Sequence, residues 1–360
     1  KVIVAVGHHN FLPSTDHVAA AAKFVREGCK RYGIKHLYDM GTGNGHYLMV
    51  EKGHVWPGAV AVGSDSHTTA YGCIGALASP MNFETTETML SGKAWFKVPR
   101  TILVKLEGNT KRGVCARDVA QYVLGLMGAD GALWRAVEYA GSYISRLSVP
   151  QRMFFSLLTT EMGGTCGIMQ PDEVVLRFME GRSRQPFTPI YGDPDVEYER
   201  TLEIDVSDLE PQVGVPPQPS NTKPLAEAIG AKIDQAYVGG CTGGGIEDMR
   251  MTAEVMRGRK VHPAVRMMVV PGTQMVLNQM LKEGLVQIFT DAGALSTPPY
   301  CGPCQMLCVG NLGEGETMIG THPRNLPGRG GKNTKHYLAS PYTTAASAVA
   351  GEIVDPRPYL

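Results

Sequence analysis

Gln235-Ala236-Tyr237-Val238-Gly239-Gly240-Cys241-Thr242-Gly243-Gly244-Gly245-Ile246-Glu247-Asp248 reads as a strand, a glycine loop and the start of a helix. Residues 235–238 are β-like, and five glycines clear side chains from around Cys241 and Thr242. Glu247 and Asp248 then fall in the first turn of an expected helix over 246–256, where the helix dipole favours acids. A strand that feeds a helix through a short loop is the building unit of a parallel sheet. The same alternation continues with a strand over 266–270, a helix over 274–285 and a strand over 286–289. The chain is therefore expected to be α/β, with helices on both faces of a parallel sheet.

Working outward, the same texture starts the chain. A strand over 2–6 runs into Gly7-His8-His9-Asn10, and Ser14-Thr15-Asp16 caps a helix over 17–31. A strand over 36–40 ends in a glycine turn that reaches His46, and a strand over 59–62 runs into Gly63-Ser64-Asp65-Ser66-His67-Thr68. Ligands in open α/β sheets sit off the carboxyl ends of strands, so His8, His9, His46, Asp65 and His67 are candidates for one crevice. A histidine beside a carboxylate on such a loop can orient a bound water or move a proton, although His8, His9 and His46, taken singly, are better explained by structure. From residue 101 come a strand over 102–106, a helix over 116–126, a segment over 134–139 carrying Glu138, and a helix over 148–162. Residues 209–224, with five prolines, read as a linker. The expected domains are 1–100, 101–215 and 216–360, each doubly wound α/β and set around a central cleft.

Whole-chain properties narrow the function. At 360 residues, several domains are the natural prior. The 34 basic and 34 acidic residues cancel, so no global field attracts nucleic acid or an anionic membrane. No apolar run is long enough for a membrane-spanning helix, and the first residues lack a leader's cleavage site. Eight cysteines over this length suit reduced thiols and a cytoplasmic location better than a secreted disulfide framework. The chain opens on a strand without an initiator methionine, and a preceding segment is expected.

The cysteines carry the chemistry. Thr297-Pro298-Pro299-Tyr300-Cys301-Gly302-Pro303-Cys304 supplies a C-x2-C pair, and Cys241 a third thiol on its glycine loop. Three protein ligands leave a metal or cluster with one open coordination position, as catalytic sites do. The reading is a three-cysteine iron–sulfur cluster whose open iron acts as a Lewis acid. Cys308 is a rival third ligand, better read as a buried apolar residue, and Cys29, Cys73, Cys115 and Cys166 read as packing residues. Downstream, Arg324 and Arg329 place two guanidinium forks on a glycine- and proline-rich loop. That suits a di- or tricarboxylate, with a solvated surface loop as the alternative.

These stretches, in this order, resemble the aconitase family of iron–sulfur hydro-lyases, and within it the separate large subunits of 3-isopropylmalate dehydratase and homoaconitase. The carriers are Gly63 to Thr68 (G-x-D-S-H-T), Val137-Glu138-Tyr139, Gly239 to Asp248, Tyr300 to Cys304, and Arg324 to Arg329. The resemblance implies that Cys241, Cys301 and Cys304 bind a [4Fe-4S] cluster with one open iron. It implies that His46, Asp65, His67 and Glu138 surround that iron, and that His9 protonates the leaving hydroxyl. Arg324, Arg329 and Ser66 would bind substrate.

The substrate implied is a branched hydroxy acid, 3-isopropylmalate first, in leucine biosynthesis; homocitrate and methyl- or dimethylmalate stand close behind. The family's mobile fourth domain, which carries the serine base, has no counterpart here, so a separate small swivel-domain subunit is the expected partner. A rival of another class is an RNA-binding regulator, as some relatives are when the cluster is lost; zero net charge argues against it. The chain departs from the family pattern at His8 (Asp), Gly243 (Asn), Gly245 (Arg) and Pro323 (Asn), which leaves the substrate open.

Overall fold

The computed structural model describes residues 3–304 and 308–360. Val2, the first residue of the expected first strand, and the Met306-Leu307 pair before Cys308 lie outside them. The described chain is mixed α/β with mostly parallel sheets, and it divides into two compact units.

One unit comprises Leu48–Lys111 and Val119–Leu209. Its main sheet has four strands in the order Cys166–Ile168, Ala136–Ala140, Thr101–Glu107 and Arg200–Asp205, all parallel. Thr101–Glu107 alternates buried and half-buried residues, with Ile102, Val104 and Leu106 inward, as the two-residue period of a strand requires. Val149–Leu158 is a mostly buried helix, and at its start Gln151 Oε1 accepts from Ser148 N at 3.1 Å. It tightens into a 3-10 turn over Thr159–Met162, where one continuous helix to residue 162 was expected. Two short parallel strands, Val60–Gly63 and Leu77–Pro80, flank the 3-10 helix Ser66–Ile74.

The other unit comprises Ile3–Tyr47, Arg112–Asp118 and Glu210–Leu360. Its sheet has seven strands, in the order Thr222–Pro224, Gln212–Gly214, Lys335–Leu338, Thr317–Gly320, Gln235–Gly239, Arg266–Val270 and Leu295–Ser296. The last five are parallel and the first two antiparallel. The core joins the apolar side chains of the central strands (Ala236, Val238, Met267, Val269, Ile319) to Met249, Ala253 and Met256 of the helix Ile246–Met256 and to Phe289. Gln235–Gly239 and Ile246–Met256 fall where the glycine-loop reading puts them.

Two expectations are overturned here. Residues 286–289 are not a strand: Gly284, at φ 68°, ends the helix Gln274–Lys282, and a second helix runs over Leu285–Ala292. The apolar run of Val286, Ile288 and Phe289 fits either period, and Gly293 at φ 87° closes it as a helix. Residues 209–224 are not a plain linker either, because they contribute the antiparallel strands Gln212–Gly214 and Thr222–Pro224. Asn221, with its backbone N–H on Gln218 O and its side chain on Val215 O and Pro216 O, closes the turn between them.

A small parallel pair, Val4–Val6 with His36–Tyr38, completes the second unit and carries the chain into Gly7-His8-His9. The helix Asp16–Arg31 between them is capped by Thr15 Oγ1, which accepts from Val18 N at 3.2 Å.

Candidate active site

Tyr237 is the post around which the cysteine loops are built. Its ring is fully buried, and its hydroxyl donates to Cys301 O at 2.7 Å. A Cβ on Gly302 would stand 2.3 Å from the ring carbon Cζ and from the hydroxyl, and Gly302 also has φ +67°. A Cβ on Gly240 would lie 2.7 Å from the same hydroxyl, and one on Gly239 3.0 Å from the ring edge. Glycine at these three positions is what lets the Cys241 loop and the Cys301–Cys304 loop close on one phenol.

All three thiols act on that phenol. Burial holds the Tyr237 hydroxyl well above its ordinary value, and charge at Cys304, Cys301, Tyr300 and Cys241 pushes the same way. Cys308 is also buried, but the tyrosine it acts on is Tyr300.

Each thiol has a donor or cation at hand. Asn44 Nδ2 donates to Cys301 Sγ at 3.4 Å, and Arg329 Nη2 to Cys304 Sγ at 3.6 Å. Cys241 lies within electrostatic reach of Arg117, a buried guanidinium whose Nη2 donates to His322 O at 3.0 Å. Such outer N–H donors and nearby positive charge are the partners that metal-ligating sulfurs keep. Cys304 N donates to Gly302 O at 2.7 Å, a tight turn that puts Cys301 and Cys304 on one loop. The donor set, its partners and the glycine cradle fit an iron–sulfur cluster.

The Cys241 loop is pinned to the neighbouring strand. Thr321 Oγ1 accepts from Gly239 N at 2.9 Å and donates to Gly239 O at 3.0 Å, and Thr242 Oγ1 donates to Thr321 O. A Cβ on Gly243 would sit 2.1 Å from Thr321 Oγ1 and 2.3 Å from its Cβ, so this backbone excludes an asparagine there.

The His8–His9 turn belongs to the same unit. Gly7 N donates to Tyr38 O at 2.8 Å and prolongs the strand pairing, and Cys301 N then donates to His8 O at 3.0 Å. Asn10 Oδ1 accepts from Val309 N at 3.0 Å, and Phe11 meets the Tyr300 ring edge-on at 5.0 Å. The His8 ring stands 4.4 Å from that of His9 and 5.7 Å from that of His46, whose N–H is held by Asn44 Oδ1 at 3.0 Å. Thus His8, His9, His46 and Cys301 are brought together.

Arg324 and Arg329 are both half-buried on the loop after the strand Thr317–Gly320, with Arg329 turned to Cys304. Beside the start of that loop, His322 and His336 meet edge-on, with Nε2 and Nδ1 3.3 Å apart. Burial, then the neighbouring His336, Arg329 and Arg117, drives His322 well below the ordinary imidazole range. Burial and Arg329 bring His336 down to about 4.

In the other unit, Asp65 caps the helix Ser66–Ile74, its Oδ1 accepting from His67 N at 2.8 Å. The His67 ring lies between Asp65, at 3.8 Å from Nδ1, and Glu161, at 2.8 Å from Nε2. Ser66 O accepts from Thr160 Oγ1 at 2.8 Å, which ties the loop to the turn bearing Glu161. Glu161 escapes a reading of the sequence because it sits ninety-four positions from its partner, in a Thr-Thr-Glu-Met turn without a motif of its own. Glu138, on the strand Ala136–Ala140, accepts from Gln170 Nε2 at 2.8 Å, and its charge, after burial, helps hold the Tyr198 hydroxyl above its ordinary value. The Glu161 hydrogen bond orients the His67 ring, with the Asp65 carboxylate beside its other nitrogen.

The sequence profile of the Aconitase family (aconitate hydratase) matches residues 7–351. The large subunit 1 of 3-isopropylmalate dehydratase from Methanopyrus kandleri is 44% identical over all of this chain and 86% of its own length. The corresponding large subunit from Halothermothrix orenii is 43% identical over 99% of this chain and 86% of its own length. The probable methanogen homoaconitase large subunit of Methanosarcina mazei is 40% identical over 96% and 88%. Among solved structures, aconitase X of Thermococcus kodakaraensis superposes with a TM-score of 0.52 at 12% identity, covering 89% of this chain and 74% of its own, a likeness of fold.

Proposed function

Because the chain belongs to the aconitase family, we propose that it is the cluster-bearing large subunit of a two-subunit hydro-lyase acting on a branched hydroxy-dicarboxylate, 3-isopropylmalate first. Its class, a hydro-lyase of the 3-isopropylmalate dehydratase kind, follows from that membership. The observation that carries the proposal is the convergence of Cys241, Cys301 and Cys304 on Tyr237.

In this reading the three cysteines hold a [4Fe-4S] cluster with one open iron, which supplies a Lewis acid for the departing hydroxyl. Asn44 and Arg329 hold the sulfurs of Cys301 and Cys304 in place through N–H donation. His9 gives its proton to the leaving oxygen, so that water rather than hydroxide departs. Glu161 fixes the imidazole of His67 at 2.8 Å, and Asp65 lies beside its other nitrogen at 3.8 Å, an orientation for moving a proton. With Asp65 and His67, His46 and Glu138 would surround the departing hydroxyl. Arg324, aided by Ser66, binds a substrate carboxylate, while Arg329 divides its donors between Cys304 and substrate. The base that removes the carbon-bound proton comes from a small subunit, as the relatives' description as large subunits suggests.

Homoaconitase is the second reading, favoured by the 40% identity to the Methanosarcina chain. The test is anaerobic reconstitution of the full chain with iron and sulfide, then mixing with a dehydratase small subunit. Formation of the unsaturated acid from 3-isopropylmalate, followed by its ultraviolet absorbance, is expected. Turnover of homocitrate alone would select the second reading. Absence of both cluster colour and unsaturated acid would overturn the proposal, and Cys241→Ser should abolish both while leaving the circular dichroism spectrum intact.

A further inference from the structure

His8 adds a nitrogen donor where the family pattern carries an aspartate. His8, His9 and Cys301 each offer one ligand atom, and the three atoms lie within 4.8 Å of one another. The arrangement is held by the backbone: Cys301 N donates to His8 O at 3.0 Å, which fixes the thiol against the turn bearing both imidazoles. The two rings meet edge-on at 4.4 Å. Asn44 Nδ2 donates to the Cys301 sulfur at 3.4 Å, the kind of outer hydrogen bond that accompanies a metal-ligating thiolate. Metal–nitrogen and metal–sulfur bonds of about 2.0–2.3 Å in a tetrahedron place donors roughly 3.3–3.8 Å apart, so a contraction of about 1 Å closes the set.

We propose that in the cluster-free chain His8, His9 and Cys301 form a binding site for a single divalent ion of borderline softness, zinc or ferrous iron. Two imidazoles and a thiolate select such ions over magnesium or calcium. The fourth position is left to water. On binding, the Cys301 S–H bond is replaced by a metal–sulfur bond and its proton passes to solvent. Cys301 cannot serve this ion and the cluster at once, so an ion seated here competes with cluster assembly.

Cobaltous ion is the probe, added to the full-length, cluster-free chain under anaerobic conditions, with zinc as competitor. The expected result is one ion per chain, with tetrahedral cobalt absorption and a sulfur-to-cobalt band, both displaced by zinc. His8→Ala, which removes the imidazole donor, should weaken binding at least about tenfold, and Cys301→Ser should remove the sulfur band. Cys241→Ser and Cys304→Ser, which each delete a cluster ligand, should bind cobalt as the unaltered chain does. Loss of binding in Cys241→Ser or Cys304→Ser equal to that in His8→Ala would overturn the proposal, since the ion would then sit on the cluster cysteines. So would an unaltered chain that binds no cobalt. No cluster is present during the measurement, so it reads out whether or not one can be assembled.

Discussion

Gly302 illustrates how much of this site depends on single atoms. A methyl at that position meets the Tyr237 ring carbon at 2.3 Å, and the backbone is in the left-handed region at φ +67°. Gly302→Ala should therefore cost about 1–3 kcal/mol from strain alone, before the ring is displaced. Thermal unfolding checks the first effect, and failure to take up a cluster the second. Asp248 gives a different residue-scale prediction. Burial, then the charge of Glu247, raises its carboxyl to about 8. The folded state thus keeps a proton that the unfolded state releases near pH 3.9, and stability falls as pH rises from about 4 to 8. Asp248→Asn, which still offers an oxygen to Gly245 N, should flatten that fall; unfolding midpoints at pH 5 and pH 8 measure it. At this scale the cysteines and Asp65-Ser66-His67 were legible, because spacing and glycine context mark them. Glu161 and Asn44 were not, since what makes them matter is contact with residues remote in the chain.

At the scale of elements, helix starts were the most legible features, because a cap is written in adjacent residues. Thr273 accepts from Val276 N at 3.3 Å and starts Gln274–Lys282 at its expected residue. Thr273→Ala should lower stability by about 1 kcal/mol, read as a shift in the unfolding midpoint. The segments misread were those where local pattern is ambiguous. Residues 286–289 are a short apolar stretch that strand and helix periods both accommodate, and only the flanking Gly284 and Gly293 decide it. The strands Gln212–Gly214 and Thr222–Pro224 are three residues each. Prolines surround them, and pairing, which their own sequence does not advertise, makes them strands.

For the molecule as a whole, the α/β class and the family were legible in the alternation of strands and helices and in the order of the motifs. No helix among the described residues is long and apolar enough to cross a membrane. The acid response is a whole-molecule property that no motif announces. His322 and His336 are buried neutral, with His336 at about 4. Below the unfolded imidazole value of about 6.5, the unfolded chain takes up protons that the folded chain refuses, so stability drops as pH falls from 6.5 toward 4. The His336 contribution to that drop is roughly 3 kcal/mol. Asp248 acts with opposite sign throughout this window, so the quantity to measure is the difference between the unaltered chain and His336→Gln. The variant should show the shallower acid slope.

The fit of Gly243 against Thr321 bears on which changes can be undone. A Cβ at 243 collides with the Thr321 Cβ as well as its hydroxyl, at 2.3 and 2.1 Å. Trimming Thr321 to alanine therefore does not make room, and the strand end itself must move away. Gly243 is in that sense a ratchet. A chain with asparagine there can lose it and let the two backbones settle together, but the reverse step has no viable single-substitution route. Any attempt to restore the family's asparagine, or to redirect substrate choice through it, has to begin with the path of the backbone at Gly320-Thr321 and arrive at residue 243 last.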